Sequence, residues 1–300
     1  MNTVPSQNNI IFTYALLVLI WATTPLAIVW SVADLHPMWA LSLRFFLALP
    51  FAFALLWIFK VHFPRDKLSL QSYVAGACSF IGSQIFIYWS TYYLSSGIIA
   101  LMFGLAPIIT GLIGRFVFNL KLAFNQWLGM AIAVIGLAVI CLGGSDHHIQ
   151  PIGIGLALMS VLVYCASMFW VKKINAPMDP MAQAAGSISI SVIFAAAMLP
   201  FIWQFAPTEM PHAKSLFGLG YAVIMASLIA MFCYFKLVKN IKPSTLSLTT
   251  VLTPVIALMI GSLLNDEKLS GLAFVGVVIL LSGLVLYFLK EIKASIYTRP

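Results

Sequence analysis

The sequence predicts an all-α integral membrane protein with ten transmembrane helices, and three observations lead to that prediction. Of the 300 residues, 62% are hydrophobic and only 8% are charged, whereas about 25% are charged in an average soluble domain. The mean hydropathy is +1.04. The apolar residues fall into runs that match the roughly 20 residues a helix needs to cross a bilayer, with short polar stretches between them.

Breaks in the apolar pattern set the limits of the predicted helices. Proline and charged residues interrupt it at His36-Pro37, Phe63-Pro64-Arg65-Asp66, Ala176-Pro177 and Lys242-Pro243. The predicted spans are residues 10–32, 38–59, 72–92, 97–118, 125–143, 152–173, 180–203, 216–237, 244–264 and 271–289.

The basic residues predict how the chain crosses the membrane. With the N-terminus in the cytoplasm, 13 of the 16 Lys and Arg residues fall on the inner side, Lys214 and Lys268 fall outside, and Arg44 lies within a span. This bias agrees with the positive-inside rule and predicts cytoplasmic N- and C-termini. The first apolar run is too long for a signal-peptide core, so no cleaved signal is expected. The basic residues form no patch, which argues against a nucleic-acid partner.

The chain contains an internal duplication. At an offset of 147 residues, residues 101–140 align with 248–287 without a gap. The informative matches are Pro107/Pro254, Gly114/Gly261, Lys121/Lys268, Gly129/Gly276 and Gly136/Gly283. The predicted halves are residues 1–145 and 146–300, each with five helices. Because five is odd, the second half crosses the membrane in the opposite sense, which is the inverted repeat typical of alternating-access carriers.

Several of these segments resemble a known transporter family. LTPVIALMIGSLLNDEKLSG (252–271), LAPIITGLIGRFVFNLKL (105–122), Trp21 in LIWATTP and the pair Arg44-Phe45 are similar to the EamA module of the drug/metabolite transporter superfamily. The resemblance implies two five-helix modules forming a carrier of small metabolites in the bacterial inner membrane, in many members an exporter of amino acids or related compounds. It also implies a helix-end contact for Glu267.

Polar and aromatic side chains within the spans are candidates for a substrate pocket, since such a pocket needs groups that fix and enclose a ligand. The candidates are Trp21, Thr24, Arg44, Gln84, Tyr88, Tyr164, Ser167, Thr250 and Thr253. For each position the alternative is a hydrogen bond between helices, worth about 0.6 kcal/mol.

Arg44 is the charge that lies well inside a span, and two roles are open for it. Its guanidinium group could bind a substrate carboxylate through two charge-assisted hydrogen bonds. Alternatively, it could extend toward the periplasmic surface and cap backbone carbonyls there.

Pro107 and Pro254 are candidate hinges. Pro107 frees the backbone carbonyl of Phe103, and such a break is tolerated where neighbouring helices or a water-filled cavity satisfy the freed group. A kink needed only for packing is the alternative. Because the same Pro recurs in the other half, we favour a pair of hinges that bend in opposite senses.

The acidic residues and histidines predict how transport is driven. All eight acidic residues and all five His lie in loops or at helix ends. A proton-coupled carrier normally needs a titratable group near the midplane, so we expect a facilitator or an exchanger, with Glu267 as the group that would allow proton coupling.

Other functions fit the residues less well. Drug-like or nucleoside-like solutes are alternative substrates for a carrier. A membrane enzyme would need a catalytic cluster, and the closest approach to one is Asp146-His147-His148. A channel would need a polar filter between spans. We predict a small-molecule substrate, a lipid environment, and no cofactor or metal.

Overall fold

A computed structural model describes residues 7–119, 121–143, 149–241 and 249–289. These residues form ten helices, joined by turns and by one β-bridge between Leu94 and Ile149. The helices are α1 (Gln7–Ser31), α2 (Pro37–Ile58), α3 (Lys67–Ser90), α4 (Ser96–Gly104 and Ala106–Phe118), α5 (Phe124–Gly143), α6 (Pro151–Ile174), α7 (Pro180–Ile202), α8 (Ala213–Tyr221, Ala222–Ile229 and Ala230–Asn240), α9 (Thr249–Asn265) and α10 (Gly271–Tyr287).

Eight of these helices, α1 to α8, are long and apolar enough to cross a membrane. The apolar parts of α9 and α10 are shorter, Leu252–Asn265 and Gly271–Tyr287. The all-helical membrane fold is therefore confirmed for the described residues, and the arrangement of ten spans in two inverted repeats stays a prediction.

Helix α3 begins five residues before its predicted start, at Lys67 instead of residue 72. The Asp66 carboxylate accepts hydrogen bonds from the Ser69 hydroxyl at 2.6 Å and the Ser69 N–H at 3.2 Å. These bonds hold the pKa of Asp66 below its usual value. The apolar pattern does not reveal this helix start, because the first turn is polar and is capped by a side chain.

Helices of the N-terminal half pack chiefly against helices of the C-terminal half. The principal contacts are α1 with α8 and α9, α2 with α7, α3 with α6 and α7, α4 with α9, and α5 with α10. Several contacts come in matching pairs. The contact of α1 with α8, for example, corresponds to that of α6 with α3. Helix α6 has the position in the second half that α1 has in the first, and α8 has the position that α3 has in the first.

Backbones approach most closely where α5 crosses α10. A Cβ added at Gly129 would lie 2.7 Å from the carbonyl oxygen of Gly283, and one added at Gly136 would lie 2.8 Å from that of Gly276. The reciprocal distances, from Gly283 and Gly276, are 2.6 and 2.8 Å. The four glycines of the duplication thus meet at this crossing, Gly129 opposite Gly283 and Gly136 opposite Gly276, as expected for small residues where membrane helices cross closely.

Three helices depart from regular α-geometry. Residues Cys78–Gly82 in α3 and Ala222–Ile229 in α8 are wound as π-helix. Helix α4 is broken at Leu105, two residues before Pro107. In contrast, α9 passes through Pro254 without a break. The two helices that share the Pro-Gly pattern therefore have different conformations.

The ends of helices from both halves are joined at the face that carries Asp34, which we call the acidic-loop face. His212 donates its backbone N–H to Asp34 at 2.9 Å, and its ring Nδ1 lies 3.1 Å from the other carboxylate oxygen. Hydrogen bonds from the His212 side chain and backbone hold the pKa of Asp34 below its usual value. The opposite face, with Lys60 and Lys236, is called the basic face.

Glu267 caps the start of α4 at the acidic-loop face. One carboxylate oxygen accepts the Ser96 N–H at 3.0 Å and the Ser96 hydroxyl at 2.7 Å, and the other accepts the Gly97 N–H at 3.1 Å. Asn265 donates to the same carboxylate at 3.1 Å. Otherwise unpaired N–H groups at a helix start are thus satisfied by a negative charge from the other half.

Replacing Gly136 with Ala should destabilise the protein by about 2 kcal/mol, because the added methyl group meets the backbone of α10 and has no space to move. Gly155→Ala is the control, since a Cβ at that position meets nothing within 4 Å. Thermal unfolding in detergent would measure both. Equal melting temperatures would show that the α5–α10 crossing is not tightly packed.

Replacing Glu267 with Gln should lower stability by about 1 kcal/mol, because the neutral amide loses the charge that caps α4. Asp266→Asn removes a neighbouring charge and is the control, since Asn tolerates the left-handed backbone at this position, where φ is 50°. If both variants unfolded at the same temperature, the Glu267 cap would have no specific effect.

Candidate functional site

Arg44 is buried within the helix bundle. It lies on α2, and only 6% of the residue is exposed. Its Nε donates a hydrogen bond to the Ser227 hydroxyl at 3.0 Å, and its Nη1 donates to the Gln84 side-chain oxygen at 3.1 Å. The guanidinium group therefore does not extend to the surface, and the partners observed for it are side chains of α3 and α8.

The two partners of Arg44 lie in or next to the π-helical segments of α3 and α8. Gln84 follows the π-helical residues Cys78–Gly82, and Ser227 lies within the π-helical residues Ala222–Ile229. The Ser227 hydroxyl donates its own hydrogen to the Ala222 carbonyl at 2.9 Å, which leaves its oxygen to accept from Arg44. π-helical turns inside α-helices occur frequently at functional sites.

No carboxylate neutralises Arg44 within the part of the chain that the structure describes. The ion pair recorded there joins His212 to Asp34 at the acidic-loop face. Burying an uncompensated charge is costly, and in a membrane protein such a group is by default a candidate for function.

A narrow cleft on the basic-face side reaches the Arg44 cluster. It is formed by α2, α7 and α8, has a volume of about 30 Å³, and has Ser227 in its wall. Its other walls are apolar apart from their backbone, and include Leu55, Met181, Ile188 and Met231. This volume is enough for about one water molecule, so Ser227 borders a water-sized space between these three helices.

A wider groove lies apart from this cluster, at the basic-face end of α2. Its volume is about 750 Å³, and its lining includes Trp57, Lys60 and Arg65. Trp57 is 82% exposed. The groove is therefore an open surface feature at the membrane boundary.

Two predicted pocket residues carry buried hydroxyl groups that have no hydrogen-bond partner in the described structure. They are Tyr88, which is fully buried, and Thr253. Tyr88 lies one helical turn beyond Gln84 on the same face of α3. Because buried polar groups are nearly always paired, an unpaired one is consistent with a site that a ligand or water fills.

Other predicted pocket residues have partners within the protein. The Ser167 hydroxyl donates to the Ala75 carbonyl at 2.6 Å and joins α6 to α3. The Thr24 hydroxyl donates to the Ile20 carbonyl of its own helix. Trp21 packs against Tyr234 with ring centroids 5.6 Å apart, and Tyr164 packs edge-on against Phe103 at 6.0 Å. The structure thus brings Arg44 and Gln84 into contact, whereas the contacts given for these four are with other residues.

Two predictions fall on parts of the chain that the structure does not describe. The side chain of Thr250 lies outside the described residues, although its backbone belongs to α9. Asp146, His147 and His148 also lie outside them. Within the described residues, no group of three His, Cys, Asp or Glu side chains lies close enough together to hold a metal ion.

The sequence prediction missed Ser227 and the pair Thr23 and Tyr221. Ser227 is one of many serines in the spans. The sequence around it gives no sign of the π-helical turn in which it lies. Thr23 and Tyr221 share a hydrogen bond between α1 and α8. The sequence signal for that contact is the motif Thr23-Thr24-Pro25, from which the prediction took Thr24 and not Thr23.

Comparisons with known proteins agree with this architecture. A family model described as the EamA-like transporter family matches residues 8–142 and again residues 151–289. An uncharacterized inner membrane transporter of Escherichia coli K12, YedA, is 25% identical over 277 residues, covering 92% of this chain and 89% of the relative. A "Probable amino-acid metabolite efflux pump" of the same strain is 24% identical over 283 residues, covering 90% and 91%.

A protein of known crystal structure aligns with a TM-score of 0.67 over 96% of this chain and 99% of that chain, at 17% sequence identity. At this identity the likeness shows the fold alone. The family match on each half of the sequence is more specific, and it agrees with the apolar helices. The chain therefore belongs to the EamA-like transporter family and is a multi-pass membrane transporter.

Proposed function

We propose that this protein is an inner-membrane carrier that exports small organic metabolites, amino acids among them, by alternating access. Its two halves, residues 1–145 and 146–300, would be inverted five-helix repeats, and its basic face, with both termini, would lie in the cytoplasm. Support for the substrate class comes from the relative named as an amino-acid metabolite efflux pump. The positive-inside rule supports the orientation.

The observation that carries this proposal is the difference between α4 and α9. Both helices contain the duplicated Pro-Gly pattern, yet α4 is broken at Leu105 and α9 is continuous through Pro254. One sequence pattern therefore adopts two conformations in one molecule. In an inverted repeat, exchanging these conformations between the halves converts a pathway open on one side into a pathway open on the other.

The contacts at the acidic-loop face agree with a pathway closed on the periplasmic side. The acidic-loop face is held together by Asp34 with His212 and by Glu267 with Ser96, and each pair joins the two halves. The cleft beside Ser227 has a volume of about 30 Å³, so it would have to widen before a solute could enter from the basic face. Outward opening would require the acidic-loop contacts to separate.

Transport would be driven by the substrate gradient. Among the described acidic residues, Asp66 and Asp179 cap helix starts and Glu267 caps α4. No hydrogen bond or ion pair joins Arg44 to a carboxylate among the described residues, which supports a mechanism without proton exchange at the buried cluster. A facilitator or an exchanger needs no such group.

Proteoliposomes loaded with unlabelled amino acids should take up the same labelled amino acid by counterflow, at a rate independent of a pH gradient. A panel of amino acids, each assayed with and without the gradient, provides this measurement, and protein-free liposomes are the control. Uptake that follows the pH gradient would contradict the facilitator mechanism. If no amino acid is taken up but a drug-like or nucleoside-like solute is, the proposed substrate class is wrong.

Replacing Pro107 or Pro254 with Ala should slow transport roughly tenfold, equivalent to about 1.4 kcal/mol in the barrier, because each Pro weakens the helix at the proposed hinge. Pro50→Ala is the matched control, since Pro50 lies on the exposed side of the continuous helix α2. Counterflow at equal protein density would measure all three variants. Full activity in both hinge variants would show that the bends serve packing only.

A further inference from the structure

The charge of Arg44 is fixed in position but not neutralised. Ser227 and Gln84 each accept one hydrogen bond from the guanidinium group, and both acceptors are neutral. An Arg that only joins helices would be expected to have an acidic partner, because a buried charge is stabilised chiefly by a charge of opposite sign. The described residues provide none.

The hydrogen bonds that hold Arg44 leave its Nη2 donors available. The guanidinium group is planar, with N–H donors on Nε, Nη1 and Nη2. Nε and one donor of Nη1 are used, while Nη2 makes no hydrogen bond within the described structure. Two partners on different helices fix the plane of the group, which reduces the entropy lost when a ligand binds.

We infer that Arg44 binds the carboxylate of the transported solute, so that the carrier selects zwitterionic amino acids or other small carboxylic acids over analogues that lack the carboxylate. This inference rests on the carrier function proposed above and adds the group that recognises the substrate. The remaining N–H donors of Arg44 can form the charge-assisted pair of bonds that a planar carboxylate accepts. The ligand then supplies the missing negative charge.

The surroundings of Arg44 favour an organic acid over an inorganic anion. The cleft that leads to Ser227 is lined by apolar side chains such as Leu55, Ile188 and Met231. At about 30 Å³ the cleft must widen before it admits a hydrocarbon side chain, but its apolar walls would then favour one, whereas a small, strongly hydrated anion gains nothing from them. The unpaired hydroxyl of Tyr88, one turn from Gln84, is a further group that a bound solute could satisfy.

Ser227 and Gln84 are positioning residues in this account, because they act on the substrate through Arg44. Removing the Ser227 hydroxyl frees one side of the guanidinium group while leaving its charge in place. Ser227→Ala should therefore weaken binding of acids less than removal of the charge does, and it should not change which analogues are preferred.

The test compares each free amino acid with its amide, which has nearly the same shape but no carboxylate. Each acid and its amide compete against uptake of a labelled amino acid into proteoliposomes containing the wild-type protein. For transported amino acids, the acid should inhibit roughly 10- to 100-fold more strongly than the amide, the range expected for loss of charged hydrogen bonds. Equal inhibition by acid and amide would overturn the inference.

Variants at Arg44 separate ligand recognition from helix packing. Arg44→Gln should remove most of the preference for acids, and Arg44→Lys should retain part of it, because the charge remains without the planar fork. Thermal stabilisation of the purified variants by the same acids and amides gives a second measurement that does not need transport. If Arg44→Gln folds and still discriminates acids from amides as the wild type does, Arg44 has only a packing role.

Counterflow tests the carrier function, and discrimination between acids and amides tests the Arg44 site, so each can succeed or fail without the other. Counterflow of amino acids together with equal recognition of acids and amides would leave the carrier standing and remove the role of Arg44. Absence of both counterflow and stabilisation for every amino acid in the panel would contradict the amino-acid carrier and the carboxylate site together. Selective stabilisation by acids without counterflow would support the site and contradict the carrier.

Discussion

The structure depends on the need of a polypeptide in lipid to satisfy its own backbone hydrogen bonds, because no water is present in the bilayer core to replace them. Regular helices meet this need, so each departure from regularity requires a compensating group. The π-helical turn of α8 directs Ser227 to Arg44, and its Ala222 carbonyl is satisfied by the Ser227 hydroxyl. At the break in α4, the Leu105 N–H donates to the Met102 carbonyl and the Ile108 N–H donates to the Leu105 carbonyl, both at 3.0 Å. The irregular segments and the buried polar cluster are thus parts of one arrangement.

The two halves are joined by contacts of two kinds. The glycines of α5 and α10 bring the backbones together without side chains between them, and such a crossing has little freedom to change. The contacts at the acidic-loop face are made by side chains such as His212 and Glu267, which can separate and re-form. In our account, α5 and α10 stay fixed while α4 and α9 exchange conformations around Arg44.

Sequence patterns predicted the helices well, because bilayer thickness fixes the length of an apolar run and prolines mark its ends. They also predicted that Arg44 and Gln84 are candidates, since charged and amide groups are rare inside spans. They did not predict that these two side chains meet. Their pairing with Ser227 depends on π-helical turns and on contacts between distant helices, neither of which has a local sequence signature. The same limit applies to the difference between α4 and α9, where matching Pro residues have unlike backbones.

In the proposed mechanism, Arg44 lies on a pathway that opens alternately to the two sides of the membrane. Its most direct test is labelling of a Leu55→Cys variant with a membrane-impermeant thiol reagent in inside-out and right-side-out vesicles, with the wild-type protein giving the background from its four cysteines. We expect labelling to be faster from the cytoplasmic side than from the periplasmic side, and a transported amino acid to protect the cysteine. Equal labelling from both sides, or labelling unaffected by any amino acid, would contradict this mechanism.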